Sequence, residues 1–353
     1  MRSIHINSPS EDLSSLSLIE SPKPVPKEGQ VLVKMKMAAI NPSDINFVRG
    51  DYEEALSRAI WNQSGELTLD PNKEQVFPGY PFSLGGEGVG VVEECGRGFM
   101  AKRLKGKRVA LLAGPPNGAW QEYTAVDAIR CAVVPDHIKD EQAAMFFINP
   151  LSAYIMVHHI LKVKKGDTIL ISAGASALGK MVVKMGVHFG FKTIPIVRGP
   201  ENTDILKSLG ATHIIETDTD DLIEAVDHYT QGAGVKHALD CVSGALGSAM
   251  VRCLSLGGKM VVYGTLSAAP LTIPSRDLMT PTASITGFFM PNWIGQQNPL
   301  KMLWIMKQAA RLYRQDILTS PVETIYPLED FKEAIANTLQ TGRVGKSLFK
   351  ISE

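Results

Sequence analysis

The chain has 353 residues, of which 44% are apolar and 20% are charged, a balance typical of a globular protein long enough for two domains. Lys and Arg together number 36, as do Asp and Glu, so the formal net charge is zero and the chain has no overall attraction for nucleic acid or an anionic membrane. The N-terminus lacks the apolar core of a signal peptide, and no apolar run reaches the roughly 18 residues of a membrane span. We therefore predict a cytoplasmic protein that binds neither nucleic acid nor membrane.

The first 130 residues predict a β-rich, irregular domain. Residues 31–39 alternate apolar and polar side chains with the period of a half-buried strand, and residues 88–93 and 108–113 are further strand candidates. Residues 53–77 are long, polar and rich in turn formers. Two interpretations of this segment are open: a lid beside the active site, or a surface excursion without a role.

From about residue 130 the pattern changes to strands that alternate with helices. A helix is predicted from Asn202 to Leu209, with Gly210 following its end. Such alternation is typical of a parallel, doubly wound sheet. The tail from about Pro299 predicts two helices and a last strand. The strand candidates are residues 167–172, 193–197, 213–215, 237–241, 260–263 and 347–351.

A glycine-rich turn follows the strand predicted at 167–172. It has the pattern Gly-x-Ser-x-x-Gly, which is the dinucleotide fingerprint with its middle glycine replaced by Ser176. The glycines permit a tight turn and close packing of helix on strand, and the helix N-terminus offers free N–H groups to phosphates. The pattern predicts a dinucleotide site; the alternative is a tight strand–helix turn without a ligand. The turn consists of Gly174, Ala175, Ser176, Ala177, Leu178 and Gly179.

The end of the next strand indicates which dinucleotide binds. An NAD site usually has Asp or Glu there, to bond the ribose 2′-hydroxyl, whereas residues 196–199 read Ile-Val-Arg-Gly. The guanidinium of Arg198 can pair with a 2′-phosphate through two hydrogen bonds. We therefore predict NADPH as the cofactor. The alternative is that Arg198 is a surface charge at a strand end.

The order of these parts resembles the medium-chain dehydrogenase/reductase superfamily over nearly the whole chain. The resemblance implies an α/β protein with a GroES-like, β-rich catalytic domain over residues 1–127 and 290–353. It implies a Rossmann domain, a doubly wound parallel sheet that binds NADPH, over residues 128–289. Zinc-dependent members carry a Cys and a Gly-His-Glu motif where this chain has residues 41–44 (NPSD) and 85–87 (GGE). Zinc needs N or S ligands in tetrahedral array, so we predict that no metal binds.

Within the zinc-free branch, the chain is similar to the mitochondrial-type trans-2-enoyl thioester reductases and to the quinone oxidoreductases. The similarity rests on residues 39–46 (AINPSDIN), on the Gly-Asp-Tyr step at 50–52 and on residues 149–154 (NPLSAY). It implies that Tyr52 is the catalytic proton donor and that Trp293 lines the substrate pocket. The side-chain amides of Asn41 and Asn46 can orient the substrate or the ribose, so we also assign Asn46 to the substrate pocket. Besides the fingerprint turn and Arg198, the resemblance implies cofactor contacts for Asn149, Tyr263, Gly264, Phe288, Phe289 and Lys346. We predict cofactor contacts for Asn41 and Thr265 as well.

The resemblance implies NADPH-dependent reduction of a conjugated double bond, in a trans-2-enoyl thioester of CoA or acyl carrier protein. A tyrosine is protonated at neutral pH, so Tyr52 can donate the proton that the α-carbon needs after hydride reaches the β-carbon. The alternative for Tyr52 is an aromatic that caps the turn after Gly50, and for Asn41 and Asn46 it is a structural role in turns.

Two other functions stay open. The first is an NADPH:quinone or enone oxidoreductase, in which Tyr52 is a wall of the pocket. The second is an NADPH-binding protein without turnover. The segment after Tyr52 is longer than in the enoyl reductases, which leaves the substrate open. The resemblance also implies a homodimer, paired through an exposed edge strand at residues 283–287.

Overall fold

The computed structural model describes residues 1–53, 60–61, 67–68, 79–340 and 342–352. The chain divides into two compact units. The first contains Met1–Ile148 and Ser320–Glu353, and the second contains Asn149–Thr319. In the described part of the chain, no helix has the length and apolar character that crossing a bilayer requires.

The described strands and helices are numbered here in chain order. The strands are β1 (Arg2–Ile6), β2 (Leu16–Glu20), β3 (Gln30–Ala39), β4 (Ile60–Trp61), β5 (Leu67–Thr68), β6 (Phe82–Ser83), β7 (Glu87–Cys95), β8 (Arg108–Leu112), β9 (Tyr123–Asp127), β10 (Cys131–Val133), β11 (Thr168–Ile171), β12 (Lys192–Val197), β13 (Ile215–Glu216), β14 (Val235–Asp240), β15 (Leu254–Val262), β16 (Ser284–Gly287), β17 (Val322–Pro327) and β18 (Lys346–Lys350). The helices are α1 (Pro42–Arg49), α2 (Phe99–Leu104), α3 (Asp140–Ala143), α4 (Ile148–Ile155), α5 (Ala177–Phe189), α6 (Thr203–Ser208), α7 (Leu222–Thr230), α8 (Gly244–Arg252), α9 (Ser275–Met279), α10 (Met290–Gly295), α11 (Pro299–Arg314) and α12 (Phe331–Leu339). A π-helical turn, Met156–Ile160, continues α4.

The first unit is built on a seven-stranded sheet in the order β10-β8-β7-β3-β18-β17, with β9 also paired to β3. Strand β3 lies at the centre of this sheet, and all of its apolar side chains are buried. The C-terminal strand β18 pairs antiparallel with β3, so that Leu348 lies opposite Ala39. A smaller sheet, β2-β1-β6, contributes to the same core, in which Trp120 is fully buried and donates from Nε1 to the Ala39 carbonyl at 3.0 Å.

The second unit contains a six-stranded parallel sheet in the order β13-β12-β11-β14-β15-β16. Its strands alternate with helices, which confirms the predicted doubly wound sheet. The chain enters the sheet at β11, moves outward to β13 and returns on the other side at β14. The strand order therefore reverses between β11 and β14, the position at which sheets of this kind bind ligands beyond the carboxyl ends of their strands.

The boundaries between the two compact units lie after Ile148 and after Thr319, farther along the chain than the boundaries predicted at residues 127 and 289. Residues 128–148 lie in the first unit because β10 extends its sheet by pairing with β8. Residues 290–319 lie in the second unit, where Lys184 Nζ donates to the carbonyl oxygens of Asp316 at 2.6 Å and Thr319 at 3.1 Å. Most of the segment interpreted as a lid or a surface excursion, residues 53–77, lies outside the described residues. Within it, β4 and β5 pair antiparallel.

Candidate active site

The turn between β11 and α5 has the close packing that a dinucleotide fingerprint requires. A Cβ added to Gly174 would lie 2.3 Å from Pro195 Cβ, and one added to Gly179 would lie 2.4 Å from the Gly174 carbonyl oxygen. Ser176 is the N-cap of α5, and its side chain accepts a hydrogen bond from the Gly179 N–H at 3.1 Å. The other first-turn N–H groups of a helix have no acceptor within the helix, which makes this terminus able to bind phosphate.

A buried hydrogen-bond network beside this turn was missed by the sequence reasoning. Ser172 Oγ donates to Asp240 Oδ1 at 2.7 Å and accepts from the Cys241 N–H at 2.9 Å. The Asp240 carboxylate also accepts from the backbone N–H groups of Val242 and Ser243. The network joins the carboxyl ends of β11 and β14, where the strand order reverses. An Asp at the end of an apolar strand was the only sequence signal for it.

Both a cation and carboxylates lie at the end of β12. Arg198 is exposed, as its predicted role requires. A Cβ added to Gly199 would lie 3.1 Å from a Glu201 carboxylate oxygen and 3.4 Å from an Asp218 carboxylate oxygen. The sequence reasoning considered only residues 196–199 and missed both acids, because Asp218 comes from the turn after β13 and Glu201 lies beyond the strand end.

The other residues predicted for the cofactor site of the second unit follow strands or lie on helices. Tyr263, Gly264 and Thr265 come directly after β15, and Phe288 and Phe289 come directly after β16. They therefore lie at the same edge of the sheet as the fingerprint turn. Burial beside Cys241 raises the pKa of the Tyr263 hydroxyl well above its ordinary value. Asn149 lies in the first turn of α4. Trp293, which was predicted to line the substrate pocket, lies on α10.

In the first unit, helix α1 and the turn after it bring Asn46 and Tyr52 together. The helix ends at Gly50, which has a φ of 81° and donates its N–H to the Phe47 carbonyl, so the chain reverses before Tyr52. The Tyr52 ring packs on Phe47 with 4.8 Å between ring centroids. Burial raises the pKa of Tyr52 above its ordinary value, and a hydrogen bond with the Asn46 side chain lowers it in part. The Tyr52 hydroxyl is therefore protonated at neutral pH.

Asn41 and Lys346, both predicted to contact the cofactor, lie in a buried polar cluster with Asp44 and Glu87. Lys346 Nζ donates to Asn41 Oδ1, and Asn41 Nδ2 donates to Glu87 Oε1 at 3.2 Å. Asp44 Oδ2 accepts from the Asn41 N–H at 2.8 Å. Glu87 Oε2 accepts from the N–H groups of residues 147 and 148, each at 2.9 Å, where α4 begins.

Burial shifts the pKa of every ionisable group in this cluster. It raises the pKa of Asp44 to about 7, and it also raises the pKa of Glu87 although Lys346 lowers it. It lowers the pKa of Lys346 to about 8, although both carboxylates raise it. The cluster thus contains two carboxyl groups and one ammonium, and proton uptake by Asp44 leaves the charges of Glu87 and Lys346 in balance.

The described residues contain no group of three His, Cys, Asp or Glu side chains arranged to hold a metal ion. The adjacent His158 and His159 lie instead among aromatic rings: His158 contacts Tyr154 with 4.7 Å between ring centroids, and His159 lies 5.9 Å from Trp293. Burial lowers the pKa of His158 to about 4, so this ring is neutral at physiological pH.

Comparison with known proteins gives matches across both units. A model of the alcohol dehydrogenase GroES-like domain matches residues 27–136, which confirms the predicted GroES-like domain, and a model of the zinc-binding dehydrogenase domain matches residues 177–305. The mitochondrial enoyl-[acyl-carrier-protein] reductase of Xenopus tropicalis is 31% identical over 320 residues, which cover 89% of this chain and 85% of that protein.

Solved structures show the same fold. An NADPH:quinone reductase from Bacillus thuringiensis superposes with a TM-score of 0.87 at 27% identity and covers 99% of both chains. Escherichia coli quinone oxidoreductase, solved in complex with NADPH, superposes with a TM-score of 0.84 at 22% identity and covers 99% of this chain and 100% of its own. The two matched domains and the identity to the Xenopus reductase show that the chain belongs to the medium-chain dehydrogenase/reductase superfamily of oxidoreductases.

Proposed function

We propose that the protein reduces the conjugated double bond of a trans-2-enoyl thioester with NADPH. The observation that carries this proposal is the Asn46–Tyr52 pair, in which a half-buried phenol is held by an amide and kept protonated. Reduction of an enoyl group needs such a donor, because a proton must reach the α-carbon after hydride has reached the β-carbon. The name of the Xenopus relative, an enoyl-[acyl-carrier-protein] reductase, supports the same substrate class.

The residues of the second unit fit the cofactor. NADPH supplies the hydride when it is bound. Gly174 and Gly179 have no space for a side chain, so the turn packs tightly between β11, β12 and α5. The first turn of α5 then offers its N–H donors to a pyrophosphate at the carboxyl end of β11. Arg198 would neutralise the 2′-phosphate. The NADPH complex of the Escherichia coli neighbour supports this assignment.

We further propose that the reaction needs no zinc. Where zinc-dependent members carry ligands, this chain has Asn41 and Gly86, and the Asn41 side chain already accepts from the ammonium of Lys346. A second cation next to that ammonium would be repelled. The chemistry then rests on Tyr52 as proton donor and Asn46 as the group that orients its hydroxyl.

A quinone or enone reductase is the second candidate, favoured by the Bacillus thuringiensis structure. NADPH oxidation with crotonyl-CoA and with 1,4-benzoquinone separates the two. We expect kcat/KM for crotonyl-CoA to exceed that for the quinone. A strong preference for the quinone would refute the enoyl assignment, and NADPH binding without oxidation of either substrate would indicate a binding protein without turnover.

Arg198→Gln is expected to weaken NADPH binding by about tenfold, because a charge-assisted hydrogen-bonded pair with the 2′-phosphate is lost. NADH lacks that phosphate, so its dissociation constant is expected to stay within twofold. Fluorescence titration with both dinucleotides measures the two constants, and Lys207→Gln, at another exposed cation, is the control. Equal weakening of both dinucleotides would contradict selection of the phosphate by Arg198. Glu201 and Asp218 oppose the phosphate, so the selectivity is expected to be limited.

The assembly and compartment are also proposals. Strand β16 is the edge of the six-stranded sheet, which leaves its outer main chain open to a second copy, as the expected homodimer requires. The curated relatives carry the word mitochondrial in their names, so the cytoplasmic expectation stays a prediction.

A further inference from the structure

We propose that the exposed side of helix α11 docks an acidic acyl carrier protein that delivers the enoyl thioester. This inference rests on the proposed enoyl reductase function and adds the carrier to it. It is carried by the placement of charges and exposed apolar side chains on one helix of the second unit.

Helix α11 has a buried side and an exposed side. Its buried side chains, Ile305, Ala309, Leu312 and Tyr313, anchor it to the second unit. The exposed residues recur at spacings of three and four, which places them along one stripe of the helix. This stripe, called here the α11 outer face, consists of Leu300, Leu303, Trp304, Lys307, Arg311 and Arg314.

The α11 outer face belongs to a stretch of sequence without acidic residues. Between Asp277 and Asp316 the sequence contains no Asp or Glu, although the whole chain is neutral. The cations Lys307, Arg311 and Arg314 form no ion pair with any residue that the structure describes. Unpaired cations on one face favour and steer an acidic partner.

The N-terminal half of the same face is apolar. Leu300 is 79% exposed, Leu303 is 60% exposed and Trp304 is 50% exposed. Exposed apolar side chains clustered beside cations are typical of protein interfaces, in which Trp and Arg are the residue types that most often dominate the binding energy.

Trp304 also connects this face to the predicted substrate pocket. The His159 ring lies 5.9 Å from the Trp304 ring and 5.9 Å from the Trp293 ring, measured between centroids. Trp293 is the residue predicted to line the acyl pocket, and Lys301 Nζ lies 5.4 Å from its ring centroid. A carrier held on the α11 outer face would therefore present its thioester arm beside the residues proposed to receive the acyl chain.

An anionic membrane fits this face less well than an acidic protein. A helix that lies in a bilayer buries its apolar side and keeps its cations on the opposite or flanking sides. Here Lys307, Arg311 and Arg314 share one stripe with the leucines, so insertion of that stripe into lipid would bury the charges. An acidic protein surface can contact both halves of the face at once.

The test compares crotonyl-loaded bacterial acyl carrier protein with crotonyl-CoA as substrates of the full chain. We expect Lys307→Glu/Arg311→Glu to raise KM for the carrier substrate by about tenfold or more at low salt, with kcat unchanged. KM for crotonyl-CoA is expected to stay within twofold. For the wild type, KM for the carrier substrate is expected to rise with ionic strength, because exposed charges are screened.

Lys102→Glu/Lys207→Glu, at exposed cations of α2 and α6, is the matched control and is expected to change neither KM. Trp304→Ala tests the apolar half and is expected to raise KM for the carrier substrate alone.

The docking proposal would be overturned if the variants changed KM equally for both substrates or changed neither KM. Turnover of crotonyl-CoA would in that case still support the enoyl reductase function. The docking proposal would also be overturned if the wild type co-sedimented with phosphatidylglycerol vesicles and Lys307→Glu/Arg311→Glu did not. That result would assign the α11 outer face to a membrane. Failure of the wild type to reduce either thioester would instead refute the proposed function.

Discussion

Tyr52→Phe is expected to lower kcat for crotonyl-CoA by about a hundredfold or more, because general acid catalysis by one positioned group contributes on that order. The substitution keeps the ring that packs on Phe47 and removes the hydroxyl that bonds the Asn46 side chain. Loss of one such hydrogen bond costs about 1 kcal/mol of stability, so the variant should remain folded. Stopped-flow and steady-state NADPH oxidation measure the effect.

The matched control is Tyr123→Phe, which removes a hydroxyl from β9 of the same unit. Its kcat is expected to stay within twofold of wild type. Quinone reduction by Tyr52→Phe provides a second comparison: a loss confined to the enoyl substrate identifies Tyr52 as a proton donor, whereas equal losses assign it to the pocket wall. An enoyl rate that does not change in Tyr52→Phe would remove Tyr52 from the mechanism.

The fingerprint turn could be predicted from the sequence because its residues are close together in the chain. The spacing of Gly174, Ser176 and Gly179 after an apolar strand already contains the geometry, since each glycine is required by a contact within the same strand–turn–helix unit or with the neighbouring strand. Positions after strands, such as Tyr263 and Phe288, could also be assigned to one sheet edge, because parallel strands end on the same side.

The buried cluster around Asn41 could not be predicted from local patterns. Glu87 and Lys346 reach it only because β7 and β18 both pair with the same central strand, β3. Glu87 and Lys346 are far apart in the sequence, and no local pattern indicates that they lie close together in the fold. The same holds for Glu201 and Asp218, which flank Gly199 from two different turns.

Glu87→Ala is expected to reduce the free energy of unfolding by about 3–5 kcal/mol, because three buried N–H donors lose their acceptor and the buried Lys346 ammonium loses a nearby opposite charge. The Glu87 side chain accepts from Asn41 and from the N–H groups of residues 147 and 148, and its charge stabilises the Lys346 ammonium. Removing it leaves all of these donors without their acceptor. Urea unfolding measures the loss, and Glu87→Gln, which retains one acceptor oxygen, is expected to lose less.

The control is Glu94→Ala, at an exposed carboxylate 3.2 Å from Lys23 Nζ, and it should cost about 1 kcal/mol or less.

The pH dependence of the Glu87→Ala effect distinguishes a loss of charge from a loss of packing. Because Glu87 raises the pKa of Lys346, its removal lowers that pKa below the wild-type value of about 8. When the pKa of Lys346 is lower in the folded protein than in the unfolded chain, the folded protein loses this proton at a lower pH. The free energy of unfolding therefore increases as the pH rises through the folded-state pKa. The cost of Glu87→Ala is therefore expected to be larger at pH 6 than at pH 9. A cost that is the same at both pH values, or no greater than that of Glu94→Ala, would show that Glu87 does not balance the buried ammonium.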